Sequence, residues 1–594
     1  MIYSFKIRLL TIVGLVAVSL VIALGRSFQL QVLEGSHFEK LAQSQQQRTV
    51  VLEPKRGRIT DRNGRILAIS IPVKSLYANP KELESAQQTA RILAPRLGLS
   101  YHKLKRRLSS KRSFVWLKRR IDPELAKALE KQLPKGIGFV DEFRRYYPQR
   151  NEGGQMLGFT GIDSQGLEGV EYQYESLLKG KPQGYIVEKE GTYRTVPLKG
   201  YPERPPEQFS LQLTIDSRIQ HLTEKHIAQG VIEAQADRGT AIVMDSSSGA
   251  ILAVASYPGF DPNRYRQFSR AHFLNRAVTS GYEPGSTFKI ITLSAALSEG
   301  LISVDQNFDC ENGEYKVGGH RIRDVKKHQQ LSLLQVLKKS SNICAAKIGM
   351  RLSPHVFQDY IKNFGFGSRP DSGLAAEASG KLLPAKKWTA VDHASISFGQ
   401  GILVSPLQML VAINVFANRG KLVTPFTVQH AIDASGNSLK QIDPPGGSES
   451  YRFGPKESKR IIEPQVADLV REFMISVTQE GGTARRASIE GYQVAGKTGT
   501  SQVYDPKLGR YSKTQYVASF GGFTPAKDPR VSILVLIRNP RKSHYGGVVA
   551  APVFREIARK TMLIQKVFPE PSQPNDQESI RITRNDGVSA KPKC

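Results

Sequence analysis

The chain has 594 residues, which is enough for two or three domains, each with its own hydrophobic core. Hydrophobic residues make up 40% and charged residues 23%, so a largely disordered, collagen-like or multi-spanning membrane protein is excluded. The 84 basic and 53 acidic residues give a net charge of +31, which predicts an anionic neighbour. The 3 cysteines and 11 histidines include no metal-binding motif, so we expect a mechanism without metal or cofactor.

An uncharged apolar segment, residues 9–25, lies near the N-terminus. Its 17 residues are just enough to cross a bilayer, and Lys6 and Arg8 before it predict a cytoplasmic N-terminus and an exported body. A cleaved signal peptide is the alternative, because residues 23–25 resemble a cleavage site, but the long apolar run favours an anchor. Export excludes nucleic acid as a partner, so we expect the positive charge to face the lipid bilayer and anionic wall polymers.

The next part of the chain, residues 29–206, is predicted to form an irregular α+β module. Short apolar runs alternate there with Gly and Pro turns, and Asn63-Gly64 is a hairpin signal. Residues 201–206 contain three prolines without apolar periodicity and are predicted to be a linker. We expect Glu168 and Glu171 to fix the joint with the following domain rather than to act as acid and base.

Residues 207–568 are predicted to form a second domain that mixes strands and helices, after an N-terminal stub and anchor at 1–28. The periodicity predicts strands at 210–215, 239–244, 250–255, 516–523 and 531–537, and helices at 217–236 and 552–564. Helical sequence fills the middle, so the expected fold is α+β with a helical subdomain. Residues 569–594 have little apolar material and are predicted to be a disordered tail.

Three short motifs combine hydroxyl groups with an amine or amide: Ser286-x-x-Lys289, Ser340-x-Asn342 and Lys497-Thr498-Gly499-Thr500. The first follows a Pro-Gly turn at the start of an apolar run, so its hydroxyl and amine share one face of a helical turn. The positive end of that helix favours a developing oxyanion. The second motif, taken alone, is typical of a helix N-cap. The third lies in a β-prone run whose glycines allow close approach of a ligand.

Residues 491–498 also match the phosphate-loop pattern of nucleotide-binding proteins. A true phosphate loop follows a buried strand and opens a helix, whereas the residues before and after this segment predict neither. We therefore expect no nucleotide site here.

The order and spacing of the three motifs resemble those of the penicillin-binding serine acyltransferases, with 54 residues from Ser286 to Ser340 and 157 from Ser340 to Lys497. Further segments resemble class B penicillin-binding proteins: 56–68, 145–148, 166–171, 282–289, 399–401, 545–547 and 551–554. Residues 69–81 are most similar to the division-specific peptidoglycan D,D-transpeptidases of this class. The resemblance implies a single transmembrane helix, a dimerisation-type pedestal at 29–206 and a transpeptidase domain with a central antiparallel sheet at 207–568.

The resemblance, together with side-chain chemistry, implies roles for four residues of the first two motifs. Ser286 would attack the penultimate D-alanine carbonyl of a stem peptide and form an acyl-enzyme, which a neighbouring amine resolves into a cross-link. Lys289 would take the serine proton if it is neutral, which burial and a nearby cation favour. Ser340 would relay a proton to the leaving amine, and Asn342 would orient the lysine and the peptide.

The third motif is implied to bind the end of the substrate. Lys497, Thr498, Gly499 and Thr500 would hold the terminal carboxylate. The backbone N–H groups of Ser286 and Thr500 would form the oxyanion hole. No metal ligand is expected among these residues.

The resemblance also implies partners and a location. The expected ligands are stem peptides ending in D-Ala-D-Ala and β-lactam antibiotics. A glycan polymerase of the FtsW type in the same inner membrane and other division proteins would be partners. The catalytic domain would face the periplasm, and glycosyltransferase activity is not expected.

Other functions remain open from the sequence. The chain could be an elongation-specific transpeptidase of the same class. It could also be a D,D-carboxypeptidase or β-lactamase-type hydrolase, although no carboxylate near the motifs marks a base for water. A non-catalytic penicillin-binding sensor or scaffold is a further alternative, but the intact motifs favour an enzyme. Cys344 is interpreted as a small buried apolar residue, and its pairing with Cys310 is left open.

Overall fold

The computed structural model describes residues 2–36, 47–52, 55–130, 132–180, 183–190, 194–197, 208–443, 450–505 and 509–569. The chain divides into two compact units, which are described separately below. The first comprises residues 1–55 and 180–208, and the second comprises 56–179 and 209–594. The predicted linker at 201–206 and the predicted tail after residue 569 lie outside the described residues.

The first unit contains the N-terminal helix and a small sheet. The helix Ile2–Phe28 continues as a π-helical turn, Gln29–Leu33. The stretch Phe5–Leu33 is long and apolar enough to cross a membrane, in agreement with the anchor predicted at 9–25. Three antiparallel strands complete the part of this unit that the structure describes: Gln47–Leu52, Gln183–Glu190 and Arg194–Pro197.

The second unit begins with a mixed module at residues 56–179. Its long strand Ile66–Ala78 pairs antiparallel with three others: Ile59–Thr60, Val115–Ile121 and Ile137–Tyr146. Helices surround these strands: Ala86–Leu97, Tyr101–Leu108, Pro123–Glu130, Gly154–Leu157, Gly169–Gln173 and Glu175–Lys179. Leu76, Leu93 and Leu117 are buried between strands and helices, which makes this part the α+β module that the sequence predicts.

The same sheet extends beyond the module. Strand Ile59–Thr60 pairs in parallel with Ser210–Leu213, which pairs antiparallel with Val428–Ile432, next to the edge strand Ser438–Leu439. The strand predicted at 210–215 is therefore confirmed and joins the module to the rest of the unit.

A five-stranded antiparallel sheet forms the centre of the remaining chain, in the order Ile251–Tyr257, Arg238–Asp245, Val531–Arg538, Arg510–Thr524 and Ala495–Asp505. The central strand Val531–Arg538 is buried along nearly its whole length, because helices cover both faces. Each strand predicted at 239–244, 250–255, 516–523 and 531–537 is confirmed. The third motif lies on the edge strand.

Helices pack on both faces of this sheet. Helices Ser217–Glu233 and Ala551–Ile564 meet Ile537 on one face, and Pro406–Ala417 meets Leu534 on the other. Residues 534 and 537 point to opposite faces because side chains alternate along a strand. Asp216 caps the first helix, and Pro552 lies in the first turn of the second, both as predicted.

The helical subdomain and several short elements complete the unit. Its helices are Lys289–Ser298, Leu333–Lys339, Asn342–Gly349, Pro354–Asn363, Ala390–Ile396 and Pro464–Thr478, with short ones at Arg270–Phe273, Arg276–Thr279 and Gly546–Val549. Four two-stranded pairs accompany them in the described residues: Asn307–Asp309 with Gln330–Ser332, Glu314–Val317 with His320–Arg323, Lys421–Leu422 with Lys459–Arg460, and Gln441–Ile442 with Tyr451–Arg452.

A buried ion cluster lies within the module, and Tyr147 links it to the following domain. Glu171 accepts hydrogen bonds from Arg56 Nε and Arg145 Nε, each at 2.6 Å. The Tyr147 hydroxyl donates to the same carboxylate at 3.2 Å. The backbone N–H of Tyr147 donates to Asn263 Oδ1 of the following domain at 3.0 Å. The prediction that Glu171 has a structural role is confirmed.

Glu168 differs from Glu171. It is half-buried, and its side chain has no hydrogen-bond partner among the described residues. Burial raises the pKa of its carboxyl, with Arg270 acting in the opposite direction. Only one of the two glutamates predicted to fix the joint therefore belongs to the ion cluster.

Candidate active site

The first motif lies where a tight turn enters a helix. Gly285–Phe288 forms a 3₁₀ turn that leads directly into helix Lys289–Ser298. Ser286 is half-buried, and its hydroxyl has no hydrogen-bond partner among the described residues, whereas Lys289 is completely buried. A partly exposed hydroxyl one turn before a buried amine is the arrangement that the spacing predicts.

The second motif joins two helices. Helix Leu333–Lys339 ends at Ser340, whose φ of 64° is left-handed, and helix Asn342–Gly349 follows. The N-cap is Ser341, because its hydroxyl accepts from the backbone N–H of Cys344 at 3.1 Å. The motif's own serine, Ser340, is thereby left to face the two active-site lysines.

The third motif brings the edge strand Ala495–Asp505 to the first motif. A Cβ atom at Gly499 would lie 2.4 Å from Ser519 Oγ and 2.8 Å from the carbonyl oxygen of Pro284, so only glycine fits between strand and turn. The chain continues as strand after Lys497 and not as a helix. The expectation that residues 491–498 are not a phosphate loop is confirmed by this geometry.

The three motifs meet through the two lysines. Lys289 Nζ donates to the Ser340 carbonyl oxygen at 2.6 Å and to Asn342 Oδ1 at 2.8 Å. Lys497 Nζ donates to Ser340 Oγ at 2.9 Å and to Thr498 Oγ1 at 3.3 Å. Lys289 Nζ lies 3.4 Å from the same Ser340 hydroxyl. The two lysines therefore meet at the Ser340 hydroxyl, and each contacts one further predicted residue, Asn342 or Thr498.

Both lysines are buried, and neither has a hydrogen-bonded carboxylate among the residues that the structure describes. Burial lowers the pKa of Lys289 from 10.5 to about 7, with Asp324 opposing the shift. Burial, and then the charge of Lys289, hold the pKa of Lys497 well below its usual range. An amine with a pKa near neutrality can both accept and return a proton at physiological pH.

The remaining predicted residues line the edge strand. The Thr498 hydroxyl lies 3.1 Å from the Thr483 hydroxyl. The Thr500 hydroxyl accepts from the backbone N–H of Gly546 at 3.3 Å. Thr500 is half-buried, so its hydroxyl and backbone border the accessible side of the site.

Asp324 is a site residue that the sequence analysis missed. Its carboxylate accepts from the backbone N–H groups of Asn342 and Ile343, at 2.5 and 3.1 Å, and from the Ser341 hydroxyl. It follows strand His320–Arg323, with no motif around it that could have identified it. Asp324 therefore fixes the start of the helix that carries Asn342.

Glu283 is a second residue near the site to which the sequence analysis assigned no individual role. Its Oε1 accepts from the backbone N–H of Gly401 at 3.0 Å and from the Tyr511 hydroxyl at 2.9 Å. It lies in the segment 282–289 that carries the family resemblance, and burial raises the pKa of its carboxyl. These bonds hold the turn before Ser286 against residues 399–401.

A disulfide joins Cys310 to Cys344, with Cα atoms 5.3 Å apart. Both residues are completely buried, which confirms that Cys344 occupies a buried position. Because Cys344 lies on the helix that begins with Asn342, the bridge ties this helix to the chain after strand Asn307–Asp309. The pairing that the sequence left open is therefore present in the structure.

Comparisons with known proteins agree with this geometry. Residues 239–559 match the penicillin binding protein transpeptidase domain, and residues 51–206 match the penicillin-binding protein dimerisation domain. The peptidoglycan D,D-transpeptidase FtsI of Escherichia coli K12 is 31% identical over 98% of this chain and 96% of its own. The probable peptidoglycan D,D-transpeptidase PenA of Neisseria meningitidis serogroup A is 32% identical over 92% of this chain and 90% of its own.

A solved structure supports the same conclusion. A peptidoglycan synthetase from Bifidobacterium adolescentis has a TM-score of 0.70 and 26% identity, covering 89% of this chain and 98% of its own. The chain belongs to the class B penicillin-binding proteins. It is a membrane-anchored peptidoglycan D,D-transpeptidase, whose substrates are stem peptides and whose transpeptidase domain binds β-lactams.

Proposed function

We propose that Ser286 is the nucleophile of this transpeptidase and that Lys289 is its general base. The observation that carries the proposal is the complete burial of Lys289 one turn after Ser286, with a pKa of about 7. In the first step Ser286 Oγ bonds to the penultimate D-alanine carbonyl carbon, and its proton passes to Lys289 Nζ. Backbone N–H groups of Ser286 and Thr500 would stabilise the resulting oxyanion.

The second half of acylation requires a proton for the leaving amine. Ser340 Oγ lies within hydrogen-bond distance of both lysines, so it can pass a proton from either amine to the departing D-alanine nitrogen. Asn342 Oδ1 holds Lys289 in place for both transfers. A neighbouring stem's amine then attacks the ester, forms the cross-link and releases Ser286.

The third motif is proposed to hold the substrate's terminal carboxylate. Thr498 and Thr500 offer hydroxyl donors on the edge strand, and Gly499 lets that strand approach the turn of Ser286. A carboxylate bound beside Lys497 would favour the protonated amine, because an opposite charge raises the pKa of a lysine. Substrate binding would thus supply the proton that Ser340 relays.

Labelling with a fluorescent penicillin, followed by mass spectrometry of the labelled peptide, tests the nucleophile. We expect the label on Ser286 and its complete loss in Ser286→Ala. Ser294→Ala, which removes a buried hydroxyl from the same helical segment, is the matched control and should keep its label. Labelling that survives in Ser286→Ala would refute the proposed nucleophile.

We propose further that the enzyme acts in septal wall synthesis, with its N-terminus in the cytoplasm and its catalytic domain on the periplasmic side of the inner membrane. Lys6 and Arg8 before the apolar helix support this orientation, and the similarity of residues 69–81 to division-specific enzymes supports the role. A glycan polymerase in the same membrane would be the partner, because cross-linking needs newly made strands nearby.

Replacing residues 1–28 by a cleavable signal peptide tests the role of the anchor. The released body should still be acylated by penicillin but should fail to support cell division. Normal septation by the released body would show that the anchor does not recruit the enzyme to a membrane partner.

We also propose four segments with these limits: the N-terminal stub and anchor at 1–28, the pedestal module at 29–206, the transpeptidase domain at 207–568 and the tail at 569–594. The family matches at 51–206 and 239–559 support the two central limits. Limited proteolysis should cut between these two segments before it cuts within either one.

A further inference from the structure

Three arginines line one cavity at an end of the five-stranded sheet, away from the catalytic lysines. Arg238 and Arg538 are paired directly across neighbouring antiparallel strands, and Arg276 lines the same cavity. Like charges placed directly opposite each other on a sheet are destabilising. The three guanidinium groups are partly buried, so an opposite charge between them would stabilise this arrangement.

In the described part of the chain, Asp237 supplies part of that charge, but it forms no ion pair with any of the three arginines. None of the three arginines forms an ion pair there, and Arg276 donates only to the carbonyl oxygen of Ala271, at 3.0 Å. Asp237, which lines a neighbouring cavity with Arg238 and Arg276, pairs instead with Arg541 at 3.4 Å. Arg538 Nε is buried without a hydrogen-bond partner among these residues.

Burial and mutual repulsion act on the three groups together. The pKa of Arg276 is lowered first by burial and then by Arg238 and Arg538. The pKa of Arg538 is lowered first by burial and then by Arg238, with Asp237 opposing. Arginine stays protonated, so the cavity keeps a positive charge that Asp237 offsets only in part.

A tyrosine provides a second, independent indication of a ligand. Tyr282 lines the same cavity, is only 6% exposed, and its hydroxyl has no hydrogen-bond partner in the described residues. A buried hydroxyl without a partner carries a desolvation penalty, which a bound acceptor would remove. Ser280 and Thr240 also line the cavity and add hydroxyl groups at its wall.

We propose that this cavity, the arginine cavity, binds a small tetrahedral oxyanion of the phosphate class. Its volume of about 50 Å³ suits one small ion or a terminal phosphate group, and three guanidinium groups with a phenol hydroxyl offer the several donors that such an anion accepts. The ligand is either free phosphate or a phosphate group on a larger molecule.

Strand pairing connects the cavity to the edge strand that carries the third motif. Arg538 is paired with Val517, which is paired with Ser501, and Tyr282 precedes Ser286 by four residues. A bound anion would therefore reduce the positive charge beside Tyr282, four residues before Ser286.

Thermal unfolding of the full-length protein in detergent tests the site. Sodium phosphate is titrated at constant ionic strength, with chloride as the replaced anion. We expect a saturable rise in Tm for the wild type, because a ligand that binds only the folded state stabilises it. Sulfate should compete with phosphate, and acetate should bind more weakly.

Two variants and one control distinguish a binding site from a structural cluster. Arg276→Gln should weaken phosphate binding at least tenfold, and in phosphate-free buffer its Tm should equal or exceed that of the wild type. Tyr282→Phe should also weaken phosphate binding, but by less than Arg276→Gln does. Arg112→Gln removes an exposed guanidinium elsewhere and should leave the phosphate response unchanged.

Glycerol phosphate identifies the source of the ligand. Binding as tight as that of inorganic phosphate would indicate a phosphate group carried by a larger molecule, whereas much weaker binding would indicate the free ion. The proposal is overturned if the wild-type Tm does not respond to phosphate at constant ionic strength. It is equally overturned if both Arg276→Gln and Tyr282→Phe respond as the wild type does.

Discussion

The joint cluster and the active site both bury charged side chains, but they treat the charge in opposite ways. At the joint, burial is the largest single influence on the Glu171 carboxyl and would raise its pKa, but its pairing with Arg56 and Arg145 outweighs burial and holds the pKa low. In the active site, Lys289 and Lys497 meet neutral oxygens, and burial lowers the pKa of each. Pairing preserves a buried charge and makes it structural, whereas burial without an ion pair produces a neutral amine that can exchange protons.

The largest effect is expected from removing the buried amine of Lys289 in the active site. Lys289→Met should reduce the rate constant of penicillin acylation by about 10²–10⁴, because it removes the general base. The variant should not lose stability, since a buried amine is replaced by an apolar chain of similar length. Stopped-flow acylation and thermal unfolding measure the two quantities.

Lys527→Met is the matched control for this substitution, because Lys527 is exposed and far along the chain from the motifs. It should acylate at the wild-type rate. Wild-type acylation by Lys289→Met would place the base elsewhere.

The second prediction concerns the paired carboxylate of Glu171 at the joint. Glu171→Gln should lower the free energy of unfolding by about 3–5 kcal/mol, because it leaves Arg145 without a carboxylate partner in the described residues and Arg56 with Glu175 alone. Acylation at temperatures where the variant is folded should change little. Denaturant titration measures the loss.

Glu168→Gln is the control, because Glu168 lies three residues away and has no hydrogen-bond partner in the described residues. Its free energy of unfolding should remain near that of the wild type. Equal losses for the two variants would mean that the ion cluster is not what fixes the joint.

A smaller effect is expected at Asp324, a carboxylate that acts on the buried Lys289 from a distance without a hydrogen bond to it. Asp324 caps the helix of Asn342 and favours the protonated form of Lys289. Asp324→Asn should cost about 1–2 kcal/mol of stability, as the loss of a helix cap does. It should also lower the pKa of Lys289, so that the acylation rate reaches its half-maximum at a lower pH.

The pH profile separates this positioning role from a merely structural one, since a loose helix would reduce the rate without moving the profile. Asp305→Asn, which changes an exposed acid in the same subdomain, should leave both stability and profile unchanged. An unmoved profile in Asp324→Asn would contradict the electrostatic link to Lys289.

Much of the fold follows from local sequence, because the strand at 531–537 is an apolar run and the helix after Asp216 has a cap and a clear period. The three motifs were recognisable because their spacing is characteristic. Asp324 was not, because its role depends on a tertiary contact between a hairpin and a helix start. For the same reason the sequence did not identify Ser341 as the N-cap of this helix, and it left open whether Cys310 meets Cys344.

The most direct measurement is the pH dependence of the second-order rate constant for penicillin acylation of the wild type. Since the pKa of Lys289 is lowered from 10.5 to about 7, its neutral fraction grows as the pH rises through 7. The rate should therefore rise from pH 5.5, reach half its maximum at about pH 7, and stay level above pH 8. A half-maximum near the ordinary lysine pKa, or a rate independent of pH over this range, would contradict the neutral buried base.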